Sequence, residues 1–152
     1  MTMTKAIYFD MDGTIADLYA VNDWLPMLRA YDPKPYAQAK PLVNMQVLAR
    51  LLNRLKANGY HIGIISWLSK ESTTEYDNAV TKAKIEWLNK HLKSVEWDEV
   101  NIVAYGTPKQ NIVTYNKGIL FDDEFNNRVN WVGTAYDVDN IIEVLKGVLH
   151  TM

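Results

Sequence analysis

The sequence predicts an α/β fold built on an open, mostly parallel sheet of about five strands, and three observations carry that prediction. Short apolar runs recur at residues 6–9, 62–65 and 119–121. Each is followed at once by a polar residue, Asp10, Ser66 or Asp122, the pattern of buried parallel strands that end at a site. Amphipathic helical patterns lie between the runs, so strands and helices alternate and the sheet is covered on both sides.

Taken in order, the first strand spans 6–9, and a helix is expected around 20–30. Residues 31–41 hold Pro33, Pro35 and Pro41 and read as a loop between two helices. Val47, Leu48, Leu51, Leu52 and Leu55 then form an apolar stripe, with Arg54 and Lys56 in the last turn and Gly59 as a stop near Asn58. After the strand at 62–65, Ser72-Thr73-Thr74-Glu75 fits a capping box, and Tyr76, Val80, Ala83 and Trp87 recur at helical spacing toward Leu88 and Leu92. Weaker strands at 100–105 and 131–135 complete the sheet around 119–121. A last helix begins near Asp137, with Val138, Ile141, Leu145 and Val148 on one face. The expected whole is a Rossmann-like three-layer sandwich in one domain over 1–152. Ligands on such sheets bind at the carboxyl ends of the strands.

Composition narrows the class. A chain of 152 residues can bury roughly 70% of its unfolded surface. The net charge of -2 offers no basic field for nonspecific binding of nucleic acid or membrane. Cysteine is absent, which removes disulfides and thiolate metal sites. No secretory signal or bilayer-length apolar stretch is evident, and a cytoplasmic protein is expected.

The chemistry gathers at the strand ends. Asp10 and Asp12 flank one residue after an apolar strand, and Gly13-Thr14 turns the chain so that two carboxylates converge. Asp122-Asp123 ends another strand. Close carboxylates repel unless a hard divalent cation such as Mg2+ compensates them. His61, His91 and His150 have no metal-ligand spacing.

The run Ala6-Ile7-Tyr8-Phe9-Asp10-Met11-Asp12-Gly13-Thr14 resembles the first motif of the haloacid dehalogenase superfamily, four apolar residues followed by DxDGT. Ile62-Gly63-Ile64-Ile65-Ser66 is similar to its second motif, and Ile119-Leu120-Phe121-Asp122-Asp123 to its fourth. The third motif is a lysine. Lys109, in the loop before the acidic strand, is favoured over Lys84 on the preceding helix and over Lys117.

The resemblance implies a phosphomonoester hydrolase working through an aspartyl phosphate. Asp10 would be the nucleophile and Asp12 the proton shuttle. Ser66, Trp67 and Lys109 would bind phosphate. Mg2+ would be held by Asp10, Asp12 (through its backbone carbonyl), and Asp122 or Asp123, with Asp123 favoured. A reduced helical cap is expected around 17–41. The segment Lys84-Ile85-Glu86-Trp87-Leu88-Asn89-Lys90-His91-Leu92 looks like a helix of 5'(3')-deoxyribonucleotidases. The expected substrate is therefore a small phosphorylated molecule of the nucleotide type, with Tyr19, Trp24, Tyr31, Tyr36 and Trp67 available for stacking. A sugar phosphate or a polynucleotide 3'-phosphate is the alternative, and a noncatalytic binding module is the reading of another class.

Overall fold

Strand β1 (Ala6–Phe9) is buried along its whole length and lies at the centre of a five-stranded sheet. Its sequence explains its place. Ile7 and Phe9 join one apolar cluster while Ala6 and Tyr8 join another, as expected when alternate residues of a strand find cover on opposite faces. The computed structural model describes residues 4–151.

After β1 the chain forms β2 (Ala16–Asp17), α1 (Trp24–Arg29), α2 (Lys34–Gln38) and β3 (Lys40–Pro41). β2 and β3 pair antiparallel, so this ribbon brings together the two ends of the segment that carries α1 and α2. There follow α3 (Met45–Ala57), β4 (His61–Trp67), α4 (Thr74–His91), β5 (Glu99–Val103), β6 (Ile119–Phe121), α5 (Phe125–Asn130), β7 (Thr134–Tyr136) and α6 (Ile141–His150). The large sheet runs β5-β4-β1-β6-β7, and every neighbouring pair is parallel. Strand order reverses direction at β1. Crevices for ligands open at such a switch point, beyond the carboxyl ends of the strands.

One face of the sheet lies under α3, α4 and α6, through Leu48, Leu52, Leu55, Trp87, Leu88, Ile141 and Leu145. Burying each of these leucines stabilises the fold by about 2 kcal/mol. The other face is covered by Val113 and by Trp131 at the end of α5. Asn44 caps α3 by accepting from the Val47 amide at 3.1 Å, and Gly59 ends it with φ +89°. Among the described residues no helix is long and apolar enough to cross a membrane.

Several local expectations need correction. The proline stretch 31–41 is not all loop, because α2 forms within it. Pro33 is its N-cap and Pro35 lies in its first turn, where a missing N–H leaves no intrahelical bond unmade. The helix expected around 20–30 is confined to α1, preceded by a 3-10 turn at Leu18–Ala20 and by Asp23 at φ 60°. α4 is capped one residue later than the capping box implied: Thr73, not Ser72, accepts from the Tyr76 amide at 3.2 Å. The last strand begins at Thr134 rather than Trp131, whose ring is buried and donates to the Gly118 carbonyl at 2.9 Å. β5 stops at Val103, and residues 104–107 turn.

Candidate active site

The amide of Asp10 donates to the Phe121 carbonyl at 2.9 Å, extending the β1–β6 ladder one step past the strand and fixing where the carboxylate emerges. The chain then folds back sharply. The amides of Thr14, Ile15 and Ala16 all reach the Met11 carbonyl, and Gly13 takes φ +79°. A Cβ on Gly13 would also fall within 2.9 Å of the Asp123 carboxyl carbon. Glycine therefore serves both the left-handed backbone and the close approach of a second acidic strand end. Thr14, wholly buried, donates through its hydroxyl to Asp10 Oδ2 at 3.0 Å and accepts from the Asp123 amide at 3.3 Å. It ties the two acidic loops together. Sequence reasoning gave Thr14 no role beyond the turn.

One carboxylate oxygen each from Asp10, Asp122 and Asp123 lies within 4.8 Å of the other two. Lys109 is the cation built into this group. Its ammonium, 2% exposed, donates to Asp10 Oδ1 at 2.9 Å and Asp122 Oδ2 at 2.6 Å. Burial pushes the Lys109 ammonium down, but Asp10 and Asp122 outweigh it and raise it to about 12. Asp122 accepts further bonds from the Glu124 amide at 2.9 Å and Asn127 Nδ2 at 3.2 Å. Among the described residues no ammonium pairs with Asp123. Burial, then the charges of Asp10 and Asp122, lift the Asp123 carboxyl to about 8, while burial and Asp10, partly offset by Lys109, lift Asp122 to about 6. With all three carboxylates ionised, one ammonium leaves two negative charges, the deficit that a divalent cation with hard oxygen ligands makes up.

A second lysine organises the other acid. Lys84, on α4 and 1% exposed, donates to Asp12 Oδ2 at 2.9 Å, Ser66 Oγ at 2.8 Å and the Trp67 carbonyl at 2.7 Å. The Asp12 side chain thus stands apart from the acidic triad. Burial raises the Asp12 carboxyl, and the Lys84 charge opposes this without cancelling it. Lys109 and Lys84 are therefore both buried cations in the site, each serving different acids. Lys117, the third considered, is exposed and lies outside it.

A cleft of about 500 Å³ opens over these groups. Asp10, Asp12, Lys109, Asp122 and Asp123 line its floor. Ser66 does not line it, being wholly buried beneath with its hydroxyl accepting from Lys84. All five aromatics singled out from sequence, Tyr19, Trp24, Tyr31, Tyr36 and Trp67, contribute to its walls. Tyr105 joins them, packed on Trp67 at 5.0 Å between ring centroids. Nothing local in the sequence marked Tyr105, because it reaches the cleft through the β5 turn.

No family model matches the chain, and no curated protein matches it either. Several solved structures are similar, two of them phosphatases. One is D,D-heptose 1,7-bisphosphate phosphatase from Burkholderia thailandensis, at 11% identity and TM-score 0.59, covering 96% of this chain and 99% of that one. The other is D,D-heptose 1,7-bisphosphate phosphatase from B. bronchiseptica, complexed with magnesium and phosphate, at 11% identity and TM-score 0.61, covering 98% and 100%. At such identity the likeness establishes the shared fold.

Proposed function

We propose that the chain is a Mg2+-dependent phosphomonoester hydrolase in which Asp10 is the nucleophile and Asp12 the proton shuttle. The observation that carries this reading is the position of the Asp10 carboxylate, between the Thr14 hydroxyl and the Lys109 ammonium on the floor of an open cleft. Its neighbours match the reaction. Asp10 attacks phosphorus, the new bond forming as the ester P–O bond breaks, and the product is an aspartyl phosphate. Asp12 gives its proton to the departing alkoxide. A carboxyl raised by burial suits that task, and the same group then takes a proton from the water that releases phosphate. Lys109 lies beside the attacking carboxylate and offsets negative charge on the phosphoryl oxygens. Lys84 keeps Asp12 and Ser66 in one arrangement.

Asp10, Asp122 and Asp123 fit a Mg2+ ion, Asp123 being the member that no ammonium pairs with among the described residues. When bound, the ion would offset negative charge on the phosphoryl group and on the carboxylates that hold it. One of the similar structures is complexed with magnesium and phosphate, which supports this choice of ion.

A phosphorylated sugar is the first substrate class to test, since two similar structures are phosphatases of a heptose bisphosphate. The aromatic walls of the cleft favour a second reading, a nucleoside monophosphate of the kind taken by 5'(3')-deoxyribonucleotidases, its base stacked on Trp24, Tyr31 or Tyr105. The segment carrying α1 and α2 acts as a minimal cap in either case. Hydrolysis of p-nitrophenyl phosphate with and without Mg2+ tests the reaction class, and absence of Mg2+-dependent hydrolysis would overturn it. A panel of sugar phosphates, mononucleotides and 3'-phosphorylated oligonucleotides, ranked by kcat/KM, decides the leaving group.

A further inference from the structure

Trp67 directly follows Ser66 at the end of β4, the place where the sequence suggested a phosphate-binding residue. Its atoms are committed elsewhere. The indole N–H donates to the Thr107 carbonyl at 2.8 Å, and the backbone carbonyl accepts from Lys84 at 2.7 Å. The Lys109 ammonium lies over the ring, 5.2 Å from its centroid, where a cation gains from the electron-rich face. Tyr105 packs on the same indole.

These contacts bear on how Lys109 is aimed. Lys109 follows a turn at 104–108 that contains Gly106 at φ +85° and is braced internally by two bonds to the Ala104 carbonyl, from the Thr107 amide at 3.1 Å and the Thr107 hydroxyl at 2.6 Å. Among the described residues, the Trp67 N–H supplies the one side-chain hydrogen bond that reaches this turn from outside it. The Tyr105 ring, which packs on the same indole, is the turn's other contact with Trp67. A lysine side chain has several freely rotating bonds, so its aim depends on where its backbone sits and on what walls its head group.

We propose that Trp67 is a positioning residue for Lys109: its N–H fixes the turn that carries the lysine, and its ring walls the ammonium so that it faces Asp10. On this proposal the indole acts through the lysine rather than by binding phosphate itself. This inference rests on the hydrolase reading for its kinetic consequence, but its structural core, that Trp67 acts through Lys109, has a separate readout.

The test uses Trp67→Phe, which keeps an aromatic face and removes the N–H, and Trp67→Leu, which removes both. Hydrolysis of p-nitrophenyl phosphate is measured with Mg2+ present, and orthovanadate, a phosphate mimic, is titrated by calorimetry. Trp67→Phe is expected to lower kcat about fivefold and Trp67→Leu about fiftyfold, with vanadate affinity falling in the same order. Lys109→Met supplies the decisive background. There Trp67→Leu should change vanadate affinity by less than about twofold, since residues acting as one unit are not additive. Equal losses in both backgrounds would overturn the proposal, as would a folded Trp67→Phe with unaltered kcat and vanadate affinity. If Trp67→Leu fails to fold, Trp67→Phe in the two backgrounds carries the same comparison. A wild-type chain that binds vanadate but hydrolyses nothing refutes the hydrolase reading while the vanadate comparison still decides the role of Trp67.

Discussion

The two ends of the sheet treat carboxylates withdrawn from water in opposite ways. At the carboxyl end, Asp10, Asp122 and Asp123 crowd within 4.8 Å around one ammonium. At the amino end, Glu99 also leaves bulk water, but every contact it makes is a donor. Tyr8 Oη donates to Glu99 Oε2 at 3.1 Å, His61 Nε2 meets the same oxygen at 2.6 Å, and Asn101 Nδ2 and the Thr114 amide donate to Oε1 at 2.8 and 3.3 Å. Gly63 makes room for this, since a Cβ there would press on the Tyr8 ring at 2.7 Å. Burial pushes the Glu99 carboxyl up, but hydrogen bonds from Thr114, Asn101 and His61 outweigh it and leave the group below its ordinary value. Asp123 is driven the other way, to about 8. The difference separates a carboxylate satisfied by donors within the fold from carboxylates that, on the proposed reading, are held for a cation and a substrate.

The sharpest way to break the contrast is at Asp10. Asp10→Asn should lower kcat by about 10⁴-fold or more, because the nucleophile is lost. Its melting temperature without Mg2+ should stay level or rise, because one of three repelling charges is gone. A variant that keeps full turnover would refute the mechanism. Asp123→Asn is the next largest. It should raise the Mg2+ concentration for half-maximal activity by about 10- to 100-fold, measured by titrating the metal against initial rate.

Gly13→Ala tests the join between the acidic loops. A methyl group there meets Asp123 and forces alanine into φ +79°, so stability should fall by about 1–3 kcal/mol in urea unfolding, with weaker Mg2+ dependence of activity. Glu99→Gln sets an amide NH2 among donors. It should cost about 1–3 kcal/mol while kcat changes less than about twofold.

Acid dependence separates the two ends without mutation. The lowered Glu99 stabilises the fold above its unfolded value of 4.5 and loses that contribution as pH falls through its lower folded value. The raised Asp123 does the reverse. Its folded form binds the proton more tightly, so the metal-free protein should lose stability as pH rises from 3.8 toward 8. Mg2+ should therefore raise the melting temperature more at pH 8 than at pH 5, and an equal effect at both would refute the assignment of Asp123 to the metal.

Much of this was legible in the sequence, and the reason is locality. An apolar run that stops at a polar residue marks a buried strand and its end, so β1, β4 and β6, with Asp10, Ser66 and Asp122 at or near their ends, followed from pattern alone. Gly13-Thr14 announced the turn in the same way. The errors fell where neighbours far along the chain decide. Pro33 and Pro35 suggested a loop, yet α2 forms because its first turn needs no N–H from them and Tyr36 is buried against α4 and Leu18. Trp131 has strand propensity, but the pocket above Gly118 claims its ring.

By itself, then, the sequence determined that acids, a serine and a turn would gather at the carboxyl edge of a parallel sheet, because each belongs to a strand end with its own local signature. Only the tertiary structure decided that Lys109 serves Asp10 and Asp122 while Lys84 serves Asp12 and Ser66, and that Trp67 is committed to the Thr107 turn. A lysine or an indole carries no sign of its partner. Its partner is whichever donor, acceptor or ring the packing of distant segments brings within about 3–6 Å, and that distance exists only in the folded chain.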